Sequence, residues 1–260
     1  PAPINLTPSP VEPTPAPVEP TPAPLPSGIV NSSLQLYLNA ADSRSYSGSG
    51  GEWSDLSPNA KSVSLVGSPL WMDTYFTFDQ QPTQVGTLQH QYIDSGLSFP
   101  SESFSVGAWF RTSARPSAGV VILSQENPLG GPWNFRIALY MGSIVVDICQ
   151  AGSIEALYSL QKTYQDGSWY LVMFTRDDET WNLYVNGALE RTRADPFTGS
   201  IADSGPFRVA ISAYTGQHSF GSYLFSGDIG QVFIYNATLT STEIMQNFDA
   251  TRNTYGVNTA

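Results

Sequence analysis

The chain has 260 residues, with 22 acidic side chains against 11 basic ones and a formal net charge of −11. Lys61 and Lys162 are its only lysines, and a chain this acidic repels a polyanion at ordinary salt, so a nucleic-acid partner is not expected. No run reaches the ~18 consecutive apolar residues of a spanning helix, which argues against membrane insertion.

The first 28 residues differ in kind from the rest. Eleven of the first 26 are proline, and Val11-Glu-Pro-Thr-Pro-Ala-Pro17 repeats identically as Val18-Glu-Pro-Thr-Pro-Ala-Pro24. Proline locks φ and pushes its predecessor toward extended conformations, so residues 1–28 are expected to form a stiff polyproline II linker. At ~3.1 Å per residue it would reach about 80 Å. The chain starts at Pro1, which suggests a processed product or a part of something longer.

Residues 29–260 are expected to form one domain, an ordinary size for an all-β sandwich. Strands are predicted at 34–39, 62–66, 70–78, 103–111, 119–125, 134–141, 144–150, 153–160, 168–176, 180–185, 188–193, 207–213 and 223–236, punctuated by Gly, Asp, Asn and Pro. Phe135, Ile137, Leu139 and Met141 alternate into Gly142-Ser143, a pair suited to a type II′ turn, and Ile144, Val146 and Ile148 alternate out. Trp169 to Phe174 is apolar on both faces, as an interior strand covered on each side requires. Trp181 to Val185 then turns at Asn186-Gly187, a type I′ signal, and returns through Ala188 to Arg191. Cys149, the single cysteine, cannot form an internal bridge and reads as a buried, inert thiol. Thr240-Ser-Thr-Glu243 is a capping box that opens a short helix with Ile244, Met245 and Phe248 on its apolar face. The fold class is therefore all-β: a two-sheet antiparallel sandwich closed by a C-terminal helix.

Five segments carry a family resemblance: Leu36 to Asp42 with Ser45 to Gly50 and Trp53 to Leu56; Phe104-Ser-Val-Gly-Ala-Trp-Phe110 followed by Val121 to Ser124; Asp166-Gly-Ser-Trp-Tyr-Leu-Val172; Leu183 to Gly187; and Phe225 to Gly230 with Phe233 to Ala237, Leu239 and Glu243-Ile244. Together they resemble the laminin G-like branch of the concanavalin A-like lectin/glucanase superfamily, of the type found in phage and large-virus surface proteins. The resemblance implies a jelly-roll sandwich. It implies little about activity, because such domains serve as glycan-binding, protein-binding and structural modules and include glycanases and lyases.

A retaining glycosidase needs two carboxyl groups ~5–5.5 Å apart, and related glucanases place them on one Glu-x-Asp strand; no such strand exists here. Asp177-Asp-Glu179 falls between two predicted strands and reads as a solvated turn. His90 with Tyr92 is the one echo of a polysaccharide lyase, without the arginine-rich and tyrosine motifs that accompany it. The expected function is therefore non-catalytic adhesion or structure at a virion surface or another extracellular site. The expected partner is a glycan or a structural protein of the same assembly, with homo-oligomerisation through a sheet edge as a further expectation.

The candidate ligand-binding residues are Trp133 and Asn134, at the end of a glycine and proline loop, and Tyr214, Gln217 and His218 in a second polar and aromatic loop. No cofactor is expected beyond calcium, which the resemblance places at the sandwich rim with Asp228 as a candidate ligand. Asn31 and Asn236 begin glycosylation sequons.

Overall fold

A computed structural model describes residues 24–79, 91–98, 102–114, 119–125, 134–150, 152–161, 163–199, 201, 205–210 and 224–258. Sixteen strands run through these residues: β1 (Leu34–Asn39), β2 (Glu52–Ser54), β3 (Ser62–Val66), β4 (Leu70–Trp71), β5 (Phe76–Phe78), β6 (Tyr92–Asp94), β7 (Phe104–Arg111), β8 (Val120–Gln125), β9 (Phe135–Tyr140), β10 (Ser143–Gln150), β11 (Ser153–Tyr158), β12 (Trp169–Arg176), β13 (Thr180–Val185), β14 (Ala188–Ala194), β15 (Phe207–Val209) and β16 (Gly227–Tyr235). The first sheet has the order β14-β13-β12-β7-β16-β5-β4, with β1 also paired to β16, and the second has the order β11-β10-β9-β8-β15-β6-β3-β2. Neighbours in both are antiparallel.

Strand alternation divides the side chains into three layers. Val106, Ala108 and Phe110 of β7 and Val172 and Phe174 of β12 face Ile137, Leu139, Ile144, Val146 and Ile148 of the second sheet across one core. Phe104 and Phe135 close that layer edge to face, with ring centroids 5.4 Å apart. Trp109, Leu171, Met173, Phe233 and Tyr235 point the other way, to the outer face of the first sheet. There they meet the helix α1 (Ser241–Thr251) and a following 3₁₀ turn, Arg252–Tyr255. Strand β12 is thus covered on both faces, as its unbroken apolar sequence requires.

The helix forms as its capping box predicts: Thr240 Oγ1 accepts from the Glu243 amide, and Glu243 Oε2 accepts from the Thr240 amide at 2.8 Å. Its buried face differs from the expected one. Ile244 and Phe248 are buried, but Met245 is exposed, and the polar Asn247 and Thr251 take the remaining inward positions. Each has a partner there: Asn247 accepts from the Val30 amide and donates to Tyr235 Oη, and Thr251 Oγ1 accepts from Trp109 Nε1. Residues 24–30 run over the same surface, with Leu25, Ile29 and Val30 in its apolar cluster and Gln246 donating to the Gly28 carbonyl. Thr240→Ala should cost about 1 kcal/mol through loss of the cap, read as a lower urea midpoint at unchanged slope.

The turns decide the register. Asn186 and Gly187 have φ of 50° and 81°, the type I′ geometry expected. The β9–β10 turn differs from the sequence expectation: Met141 and Gly142 carry the positive φ values, 50° and 85°, and Ser143 already pairs with Tyr140. It is also a type I′ turn, one residue earlier than a Gly-first reading places it. The predicted strand 70–78 is broken by a turn in which Asp73 has φ of 62° and the Met72 amide donates to the Tyr75 carbonyl.

Candidate functional site

The turn at Met141-Gly142 sets Arg136 directly opposite Asp147, and Ala138 opposite Val145. Strand β11 continues the same rows, bringing Tyr158 opposite Val145 and Ala156 opposite Asp147. Because Ile137, Leu139, Ile144 and Val146 fill the core, these alternate residues lie on the outer face of the second sheet. They line a groove of about 250 Å³ together with Gly119 and Tyr140.

The groove has three kinds of surface. Its floor is a small apolar patch, with Val121, Ala138 and Val145 buried and Ala156 against them. Tyr140 and Tyr158 flank it and are 45% and 50% exposed, large aromatic surfaces left open to solvent. Its polar end is the cross-strand pair Arg136 Nε to Asp147 Oδ2 at 2.5 Å, with the side chains only 15% and 6% exposed. Burial raises the Asp147 pKa above the ordinary carboxylate value, and Arg136 opposes that shift. A carboxylate perturbed by desolvation at the end of a cleft marks a functional site more often than a random surface position does.

This site was not among the sequence candidates, although a signal for it was present. Arg136 and Asp147 are the only charged residues in the predicted strands 134–141 and 144–150, and a charge kept inside an apolar alternating strand needs a cross-strand partner.

Of the sequence candidates, Asn134 is described and is 6% exposed; its carbonyl accepts from the Cys149 amide, which fastens it to β10. Trp133, Tyr214, Gln217, His218 and His90 lie outside the described residues. Tyr92 is half-buried on β6 with the Arg208 guanidinium 5.6 Å from its ring centre. Cys149 is buried, and burial raises its thiol pKa. Asn31 and Asn236 are both exposed at one end of the β1–β16 pair, where the Asn236 amide donates to the Ser33 carbonyl.

Asp228 lies on the outer face of the first sheet, and both of its oxygens are engaged. Oδ1 accepts from Thr77 at 2.7 Å, and Oδ2 meets Arg111 Nε at 2.7 Å and Nη2 at 2.6 Å. The Arg111 guanidinium stacks on Tyr75 and Trp169, 4.9 Å from each ring centre. A fixed side-chain cation therefore sits where the resemblance implied calcium, and no group of three metal-ligating side chains occurs among the described residues.

Similar solved structures include the binding domain of Paraclostridial mosquitocidal protein 1, at 13% identity and a TM-score of 0.62, covering 86% of this chain and 55% of that one. A structure of botulinum neurotoxin type C, whose cell entry depends on two ganglioside molecules, shares 16% identity at a TM-score of 0.63, covering 84% and 51%. The botulinum neurotoxin serotype D ligand-binding domain in complex with N-acetylneuraminic acid shares 14% at 0.58, covering 85% and 51%. This chain spans about half the length of those structures, and at such identities the likeness is one of fold. No curated protein matches it in sequence. A family model does, over residues 86–245, and with the two-sheet sandwich it settles the membership: the chain belongs to the concanavalin A-like lectin/glucanases superfamily.

Proposed function

We propose that the chain is a non-catalytic glycan-binding module, carried on the proline-rich segment 1–28 and displayed outside a cell or on a virion. The observation that carries this reading is the groove on the second sheet, where exposed Tyr140 and Tyr158 flank an apolar floor that ends at the largely shielded Arg136–Asp147 pair. The apolar face of a pyranose packs on aromatic rings, while its hydroxyls take charge-assisted hydrogen bonds from an ion pair at one end. The ganglioside and N-acetylneuraminic acid contexts of similarly folded domains support a glycan as the class of ligand. Among the described residues only one carboxyl group, Asp147, lines the groove, whereas glycoside hydrolysis uses two across the scissile bond. No helix of the described residues is long and apolar enough to cross a membrane.

A glycan array probed with the whole chain tests the reading. Tyr140→Ala and Tyr158→Ala should each weaken the strongest hit roughly tenfold or more, the equivalent of about 1.4 kcal/mol. Both positions are exposed, so thermal unfolding should change little. Hits that persist in the double variant would move the site elsewhere, and reducing-end release abolished by Asp147→Asn would replace binding by catalysis.

A further inference from the structure

We infer that the groove takes its glycan from a glycolipid at a bilayer surface, with the sugar beside Tyr140 and Tyr158 and the β9–β10 turn resting in the lipid. This inference rests on the glycan-binding reading above and adds the surface on which the glycan is presented.

The cross-strand rows of β9, β10 and β11 carry it, because polarity falls in one direction along them. The first row is charged and largely shielded, with Arg136 and Ala156 on either side of Asp147. The next row, Ala138, Val145 and Tyr158, is apolar and ends in an exposed phenol ring. In the third, Tyr140 stands opposite Ser143. Pairing runs on past β11 through the Ser159 amide to the Ile144 carbonyl, which brings Leu160 up to this row, 62% exposed. The turn beyond carries Met141, 76% exposed, the most exposed large apolar side chain among the described residues. At ~3.4 Å per residue, the step from the ion pair through the phenols to the aliphatic tip covers about 17 Å. Water, head groups and acyl chains succeed one another in the same order at a bilayer surface, and tyrosine is enriched at the head-group level. Aromatic and aliphatic groups left open together on one turn and its neighbouring strand form the kind of patch that marks an interaction surface.

Charge decides between occupants. The Glu190 carboxylate that reaches Leu160 is held by the Leu160 and Gln161 amides, and Asp166 by the Ser168 amide and the Tyr170 hydroxyl. With a net charge of −11, the chain is repelled by a second copy of itself and by an anionic membrane, but not by a bilayer of uncharged glycolipid. Two aliphatic side chains anchor only weakly, so retention takes the sugar as a second contact.

Vesicle flotation and calorimetric titration of the whole chain compare phosphatidylcholine bilayers with equimolar mixtures of phosphatidylcholine and galactosylceramide, glucosylceramide or lactosylceramide, and each glycolipid with its free methyl glycoside. The expected result is that at least one glycolipid bilayer binds tenfold or more tighter than its free glycoside, with no retention by phosphatidylcholine alone. Met141→Ser combined with Leu160→Ser should bring the bilayer affinity down to that of the free glycoside. The free glycoside and the Tm should be unaffected, since both side chains are exposed. Tyr158→Ala should abolish both modes of binding. Equal affinity for bilayer and free glycoside, or no binding to any glycolipid bilayer, overturns the inference while array hits that depend on Tyr158 keep the groove as a glycan site. A mass that doubles with concentration in the parent chain but not in the Met141 and Leu160 variant also overturns it and gives the turn to a second copy. If neither the array nor the bilayers respond to Tyr140→Ala or Tyr158→Ala, the glycan-binding reading falls as well.

Discussion

Asp195→Ala should destabilise the domain by about 3–5 kcal/mol, the range for stripping one partner from a buried ion pair. Asp195 Oδ2 lies 2.6 Å from Arg176 Nε, and the two side chains are 0% and 1% exposed. Asp195 is itself locked in place, its amide donating to the Glu179 carbonyl and its Oδ1 accepting from the Phe197 amide. Arg176 has one further anchor, the Gly199 carbonyl at 3.0 Å from Nη2, while Nη1 has no partner among the described residues. Removing the carboxylate leaves a full positive charge at the end of β12 with a single neutral acceptor. Urea denaturation followed by tryptophan fluorescence measures the loss, and a change below about 1 kcal/mol would mean that water reaches the guanidinium. The double replacement Arg176→Met with Asp195→Leu should recover most of the loss, because a buried pair exchanged for apolar side chains of similar volume is often neutral.

Gly107→Ala should be of similar severity, for a steric reason. Strand β7 lies between β12 and β16 at the centre of the first sheet, and Gly107 stands opposite Met173. A Cβ there would come within 2.2 Å of the Val172 carbonyl oxygen and 2.3 Å of Met173 Sδ. The thioether can swing away, but the carbonyl is held in the sheet. Overpacking of a rigid core costs ~1–3 kcal/mol and occasionally more, and the backbone clash places this site at the top of that range. For a domain of this size that corresponds to a fall in Tm of roughly 6–12 °C. Adding Met173→Ala should recover only part of it; full recovery would show that the sulfur, not the carbonyl, sets the limit.

What the sequence made legible follows from how local each signal is. Asn186-Gly187 and the Thr240–Glu243 box are self-contained within four residues, and both form as expected. β2 and β6 have three residues each, too few for alternation to register, and they exist because β3 pairs with both. One turn hides the groove from the sequence pattern. Placing the β9–β10 turn at Gly142-Ser143 would set Arg136 opposite Cys149 and Asp147 opposite Ala138, so the ion pair disappears from the derived register. In the structure Met141 adopts a positive φ instead. Its side chain is exposed there, so the mirror-image turn that matches strand twist meets no clash with the core. Tyr140 falls out of phase with Phe135, Ile137 and Leu139, which puts it on the outer face, but alternation alone does not tell whether that face is covered or open to solvent. The engagement of Asp228 was hidden by distance along the chain. Its partner Arg111 is 117 residues away in sequence, and only the pairing of β7 with β16 brings that guanidinium onto the carboxylate the resemblance offered to a metal.

Residues 24–30 and the C-terminal helix share the outer surface of the first sheet, and the groove opens on the outer surface of the second. On the proposed reading, a copy tethered through its N-terminal segment turns the groove away from whatever holds it. Many copies mounted side by side would point the same way, so weak contacts to a repetitive coat could add into strong attachment through effective concentration.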